Sequence, residues 1–191
     1  MDVLLNPEQT AARLPWAPLV DEIEALLTDA SVSVPPRTVL PMAAGAFLFA
    51  MPGCDARTAM TKLITFTPAN MGTGRPTIQG DVTVFDVASG ERPLILDGPT
   101  VTARRTAAVS ALAARWLARP DATRATIFGA GLQACLQLEA LTLVRPISQA
   151  VIWAREPSRA QALAARLTRP GLTVRATADP AEAAAFAEII V

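Results

Sequence analysis

The 191-residue chain has no histidine, no tyrosine and a single lysine, Lys62. A hydride-transfer site built on a histidine acid–base or a tyrosine–lysine pair is therefore excluded from this sequence. Proton transfer falls to Lys, Asp, Glu or water. Cysteine is scarce: Cys54 and Cys135 make no disulfide framework, and each reads as a small buried hydrophobe in a reducing cytoplasm. Aromatics are only 5% of the chain, and the seventeen basic and seventeen acidic residues cancel. With no basic run and no aromatic-spaced patch, nucleic acid is not an expected partner. The N-terminus lacks a basic segment followed by a long apolar run, so no signal peptide is expected. The longest uncharged apolar stretch, 38–54, is broken by Pro41, Gly45 and Pro52 and reads as core strands rather than a membrane span.

What is present suits an α/β protein of one or two domains, 51% hydrophobic and 18% charged. Asn6-Pro7 opens a helix, with Asn as N-cap and Pro at the first helical position. A second helix over 16–30 carries Leu19, Val20, Ile23, Leu26 and Leu27 on one face. Strand-like runs follow at 38–41, 46–51, 59–66 and 77–87, and 88–91 turns into 93–96, giving a mostly antiparallel sheet. A long helix over 101–118 is dense in small residues, which permits close packing, and Arg119-Pro120-Asp121 ends it. The domain junction is placed there, dividing 1–120 from 121–191. Strands at 125–128, 149–154, 172–176 and 188–191 then alternate with helices at 135–144, 158–168 and 180–187, the rhythm of a parallel sheet. An apolar edge at 188–191 predicts that the sequence is the front part of a longer protein. A compact four-stranded domain closed by an oligomer partner is the alternative.

The chemistry concentrates where the first of these parallel strands breaks into Phe128-Gly-Ala-Gly-Leu-Gln-Ala134. Strand, glycine turn and helix start together present backbone N–H groups and a positive helix end to a dinucleotide pyrophosphate. Gly129 suits the tight turn, Gly131 the close approach of phosphate, and Ala134 the helix–strand packing. A purely structural strand–helix turn is the competing reading. The second strand ends at Ala154-Arg155-Glu156, with Arg159 a helical turn further on. Arg155 is the first residue past the strand, and Glu156 sits one place too late to be the usual ribose ligand. That favours NADP(H), with NAD(H) as the alternative if the strand register shifts by one. Before the junction, Arg37 heads a strand, Lys62 interrupts one, and Arg105 falls in the first turn of the small-residue helix. Each alone suits a solvated or ion-paired residue; together they could grip a carboxylate.

The stretches Val-Pro-Pro-Arg37, Met60-Thr-Lys62, Phe66-Thr-Pro-Ala-Asn70, Pro76-Thr-Ile-Gln79-Gly, Thr102-Ala-Arg-Arg-Thr-Ala-Ala-Val-Ser110 and Phe128-Gly-Ala-Gly-Leu-Gln-Ala134 occur in that order along almost the whole chain. So arranged, they resemble the ornithine cyclodeaminase/mu-crystallin family. The resemblance implies an N-terminal α+β substrate and dimerisation domain followed by a Rossmann domain, assembled as a homodimer. It implies that Arg37, Lys62 and Arg105 hold a substrate carboxylate, with Lys62 also catalytic. It places Thr77, Thr106 and Gly129, Ala130, Gly131, Leu132 and Gln133 against the nicotinamide nucleotide, and Arg155 and Arg159 near a 2′-phosphate. The family's catalytic aspartate is expected beyond residue 191. Ala154-Arg155 and the Pro-Thr-Ile-Gln-Gly run are most similar to the cyclic imino-acid (ketimine) reductases of the family. Ornithine cyclodeamination and non-catalytic NADPH binding are the alternatives.

Overall fold

The computed structural model describes residues 3–191. Its contacts divide the chain into two compact units, one running to Pro15 and from Ala25 to Thr102, the other comprising Trp16–Glu24 and Ala103–Val191. Compactness thus separates the chain inside a helix, whereas the sequence boundary at 120 marks where parallel-sheet rhythm begins.

In the first unit, β1 (Val3–Leu4) precedes α1 (Pro7–Ala12). The Asn6 side chain accepts the Gln9 amide at 2.9 Å and the Gln9 side chain accepts the Asn6 amide at 3.0 Å. This reciprocal capping satisfies two N–H groups that a short helix would leave orphaned. The strands β2 (Thr38–Pro41), β3 (Phe47–Cys54), β4 (Thr58–Phe66), β5 (Ile78–Asp86) and β6 (Leu94–Asp97) then pair antiparallel in sequence order. β1 adds to β6 in parallel, completing the order β1-β6-β5-β4-β3-β2. The core of this unit is Leu5, Val82 and Leu96, with Met60, Val84, Leu94 and Val101 packed against it. Asp97 accepts the Thr100 amide at 2.8 Å and so opens α3 (Gly98–Leu117), three residues earlier than the sequence predicts. Glycine is required at that opening: a Cβ on Gly98 would lie 2.6 Å from the Gly80 carbonyl oxygen.

Two expectations about burial fail in this unit. The 38–54 stretch is not core: every residue of β2 is exposed, and β3 is half-buried at best. β2 is the last strand of its sheet, so its apolar side chains have no further strand beside them. Cys54 is exposed at the end of β3, where Ala59 of β4 pairs with it on one side and Ser33 bridges to it on the other. In the other unit Cys135 is half-buried rather than buried. The apolar face read for the second helix is also shorter than expected. α2 (Trp16–Thr28) buries Val20 and partly buries Leu19 and Ile23, while Leu26 and Leu27 are exposed.

The second unit holds β7 (Arg124–Phe128), α4 (Leu132–Val144), β8 (Gln149–Trp153), α5 (Pro157–Leu167), β9 (Thr173–Thr177), α6 (Pro180–Phe186) and β10 (Ile189–Ile190). All strand pairs are parallel, in the order β10-β7-β8-β9. That is the doubly wound arrangement, in which the chain reverses direction across the sheet beside β7. β7 and β8 bury their centres completely, as expected of strands covered on both faces. The small residues of α3 do what their size allows: Ala107, Ala108 and Ala111 are fully buried against Val20 and Ala140. Arg145 closes the far end of that helix, its guanidinium donating to the Ala118 carbonyl at 2.9 Å.

The entry to β7 is held by one carboxylate. Glu188 accepts the amides of Thr123 at 2.9 Å and Arg124 at 3.0 Å, and pairs with Arg119 at 2.7 Å. These donors, the Thr123 amide foremost, hold its carboxyl below the usual carboxylate range. A group lowered on folding stabilises the fold above its unfolded pKa and loses that contribution as pH falls through the folded value. Acid titrations of stability should therefore be steeper for the native chain than for Glu188→Gln below the ordinary glutamate range. Identical denaturation midpoints against pH for the two proteins would remove Glu188 from this role.

Candidate functional site

At the C-terminal end of β7, Phe128 emerges from the core and the chain turns through Gly129, whose φ is +136°. Side chains rarely adopt that conformation, so the turn itself requires glycine. The Gly129 amide donates to the Trp153 carbonyl at 2.7 Å, fixing the turn to the end of the neighbouring strand. Gly131 is the N-cap of α4, and no side chain caps that helix. By contrast α1 and α6 carry side-chain caps from Asn6 and Asp179. The first amides of α4 therefore stay available to an external acceptor.

Gly131 needs a different explanation from Gly129. Its backbone (φ −97°, ψ −169°) is open to any residue, and an added Cβ would meet no atom within 4 Å. Nothing inside the fold demands glycine here, and a Cβ would project into a cavity of about 620 Å³. A diphosphate lying against the backbone supplies the missing reason, so the residues present fit a dinucleotide.

One wall of that cavity is Phe128, Gly129, Ala130 and Gly131; the other is Trp153, Ala154, Arg155, Glu156 and Arg159. The rings of Phe128 and Trp153 lie 5.6 Å apart, and the Trp153 indole donates to the Ala178 carbonyl. Both arginines are exposed, one on each side of the α5 N-terminus. Glu156 is the N-cap of α5, yet its carboxylate accepts the Ser158 hydroxyl at 2.9 Å rather than a backbone amide of its helix.

Of the nucleotide residues expected from the sequence, Gly129, Ala130, Gly131, Arg155 and Arg159 line this one cavity. Leu132 and Gln133 follow it on the first turn of α4 without lining it. The Gln133 side chain instead donates to the Ala103 carbonyl at 3.2 Å and accepts from Gln137 at 3.2 Å. Thr106 lies in α3, where its carbonyl accepts the Ser110 hydroxyl at 3.4 Å. Thr77 belongs to the first unit, just before β5, its carbonyl accepting the Thr67 amide. Sequence reasoning did not select Phe128, Trp153 or Glu156. The two aromatics end β7 and β8, and Phe128 is 39% exposed.

The first unit gathers two cations. Strand register sets Met51 opposite Lys62, and Lys62 opposite Val82. Continuing the β2–β3 pairing by one residue puts Arg37 opposite Met51. Directly opposed residues share a sheet face, so Arg37 and Lys62 stand on the same face two strand spacings, about 10 Å, apart. The Arg37 guanidinium rests 5.7 Å from the Phe49 ring centre. Lys62 is 9% exposed, with its ammonium 3.5 Å from the Thr102 hydroxyl. A forked donor and a buried point charge within that span can bind the carboxylate of a small molecule and still offer an N–H to a second atom. Arg105, the third cation, is exposed in the second unit. Because α3 opens at Gly98, it sits about two turns into the helix rather than in its first turn.

Among the described residues no group of three or more His, Cys, Asp or Glu side chains could hold a metal ion, and no helix is long and apolar enough to cross a membrane. The chain is similar to the Δ1-pyrroline-2-carboxylate/Δ1-piperideine-2-carboxylate reductase of Azospirillum brasilense, 36% identical over 146 residues, covering 75% of this chain and 47% of that protein. It is similar to the ketimine reductase mu-crystallin of Mus musculus, 34% identical over 182 residues, covering 91% of this chain and 57% of the other. Among solved structures it matches Thermococcus litoralis Δ1-pyrroline-2-carboxylate reductase in complex with NADH and L-proline. The TM-score is 0.82 at 26% identity, covering 97% of this chain and 57% of that one. The chain thus spans about half the length of the relatives it matches. The family pattern matches residues 5–191, and it joins an antiparallel sheet bearing Arg37 and Lys62 to a parallel sheet with a glycine-turn cavity; the chain belongs to the ornithine cyclodeaminase/mu-crystallin family.

Proposed function

We propose that this protein is an NADPH-dependent reductase of cyclic imino acids, converting Δ1-pyrroline-2-carboxylate or Δ1-piperideine-2-carboxylate to proline or pipecolate. The observation that carries this reading is the cavity at the end of β7 and β8, where an uncapped helix start faces two arginines. Relatives named as reductases of these imines, and a structural neighbour solved with NADH and L-proline, support it. Arg155 and Arg159 favour NADPH over NADH, because a 2′-phosphate gives two guanidinium groups an acceptor that a ribose hydroxyl does not.

When bound, the reduced nicotinamide supplies the hydride that adds to the imine carbon. This chain's residues do the rest. Arg37 holds the substrate carboxylate through its planar fork, and Arg105 keeps the carboxylate role the resemblance gives it. Thr77, Thr106, Leu132 and Gln133 keep theirs toward the nucleotide. Lys62 directs an ammonium N–H at the imine nitrogen, which gains a proton as the C=N bond becomes an amine. With no histidine or tyrosine in the chain, its only lysine is the side chain best suited to that task here. We place the enzyme in the cytoplasm, in keeping with two cysteines that form no disulfide. We also propose a homodimer, supported by β2, whose Val39 and Leu40 are 44% and 54% exposed on a sheet edge.

Adding Δ1-pyrroline-2-carboxylate to the protein and NADPH should oxidise the nucleotide, and Lys62→Met should lower kcat by about 10²–10⁴-fold while nucleotide still binds. Turnover of neither imine by the native protein, with ammonia released from L-ornithine instead, would move the assignment to a cyclodeaminase. Gly131→Ala should change thermal stability by no more than about 0.5 kcal/mol yet abolish most nucleotide affinity. Full affinity in that variant would mean that the backbone of Gly131 does not meet the diphosphate. Sedimentation over a concentration series should give the mass of two chains, and a monomer at all concentrations would discard the dimer.

A further inference from the structure

The charges around the nucleotide cavity are not simply basic. Glu156 lies in sequence between Arg155 and Arg159, and all three line the same wall. The Glu156 carbonyl accepts the Arg159 amide at 3.2 Å, so both residues belong to one turn at the start of α5. Pro157 at the first helical position contributes no N–H, and the carboxylate does not cap the helix. It takes the Ser158 hydroxyl at 2.9 Å instead. An acid thus shares a cavity wall with two arginines, with a hydroxyl as its hydrogen-bond donor.

We propose that Glu156, steadied by Ser158, is the residue that sets the balance between NADPH and NADH. This deepens the reading of the preceding section and rests on it. A 2′-phosphate entering the cavity gains Arg155 and Arg159 but meets a carboxylate of its own sign. A plain ribose brings hydroxyl donors that the carboxylate can accept. The acid therefore takes back part of the advantage the arginines give to NADPH and leaves NADH usable. Its position one residue past the usual ribose ligand does not remove it from the site, because the first turn of α5 brings it back to the cavity wall. Ser158 is a positioning residue in this scheme, keeping the carboxylate from closing onto either arginine.

The test is a set of titrations with NADPH and NADH, followed by tryptophan fluorescence, since the Trp153 ring lines the same cavity. Neutralising the acid in Glu156→Gln should raise the ratio of NADPH to NADH affinity by about tenfold at low salt, with less change at high salt because the groups are exposed. Glu156→Asp, which keeps the charge, should hold the ratio near the native value. Damage to the helix start alone would weaken both nucleotides in parallel and leave the ratio unmoved. An unmoved ratio in Glu156→Gln, alongside NADPH affinity lost in Arg155→Ala, would overturn the role of Glu156 and leave the reductase reading intact. A native protein giving no saturable signal with either nucleotide would overturn both.

Discussion

The structure depends most on one constraint, the positive φ of Gly129. A chain leaving the centre of a buried parallel strand must either continue past the sheet or turn within a residue or two. The turn at Gly129 lets α4 begin at Leu132, directly over the end of β7, with its first amides uncapped. A Cβ at that residue would force the backbone into an ordinary region of φ/ψ space and swing the helix start away. The cavity, its access to Arg155 and Arg159, and the small Gly131 all follow from that single backbone geometry.

The two glycines of the loop show why identical residues need separate arguments. Gly129 is explained by conformation, whatever binds there. Gly131 has a conformation any residue could adopt and empty space where a side chain would go. A residue kept small without an internal reason points outward, to a partner that must come close. In Gly98 the reason is internal again, since the start of α3 presses on the carbonyl of Gly80.

The sequence made the second unit legible almost residue by residue, because its signals are local. Short apolar runs, separated by helical periodicity and punctuated by Gly or Pro, define β7 to α6 with ends shifted by one residue, apart from the start of α4, which lies three residues earlier than expected. The cavity residues found in advance were those of the glycine turn, Gly129 to Gly131, and the two arginines past β8. What stayed hidden depended on what lies beside a strand or helix. Val39 and Leu40 are as apolar as any core pair, and only the position of β2 at the end of the sheet leaves them exposed. Cys54, at the end of β3, and Leu27, near the end of α2, are exposed too. Phe128 and Trp153 were not picked out, because composition does not reveal where a strand emerges from its sheet. The hydrogen bond of the Gln133 side chain to Ala103 was equally invisible, since it depends on how α4 meets α3. The pairing of Arg37 with Lys62 required the register across three strands, which follows from turn lengths that no single-strand pattern encodes.

The absence of histidine and tyrosine bears on how a site of this kind can work. A dinucleotide reaction at a C=N bond needs a place for an anionic carboxylate and one proton for nitrogen, and both can be met by cations. Arginine cannot give up its proton at ordinary pH, so it serves only to hold. Lysine is a compact donor on a flexible stem, and burial among Met51, Val82 and their neighbours limits the directions it can take. In the proposed reaction, a buried Lys62 as proton donor and an exposed Arg37 as carboxylate holder would separate the two tasks by accessibility. On that proposal a substrate carboxylate would be met first from solvent, and an imine nitrogen would reach its donor only once the ring is seated against the sheet.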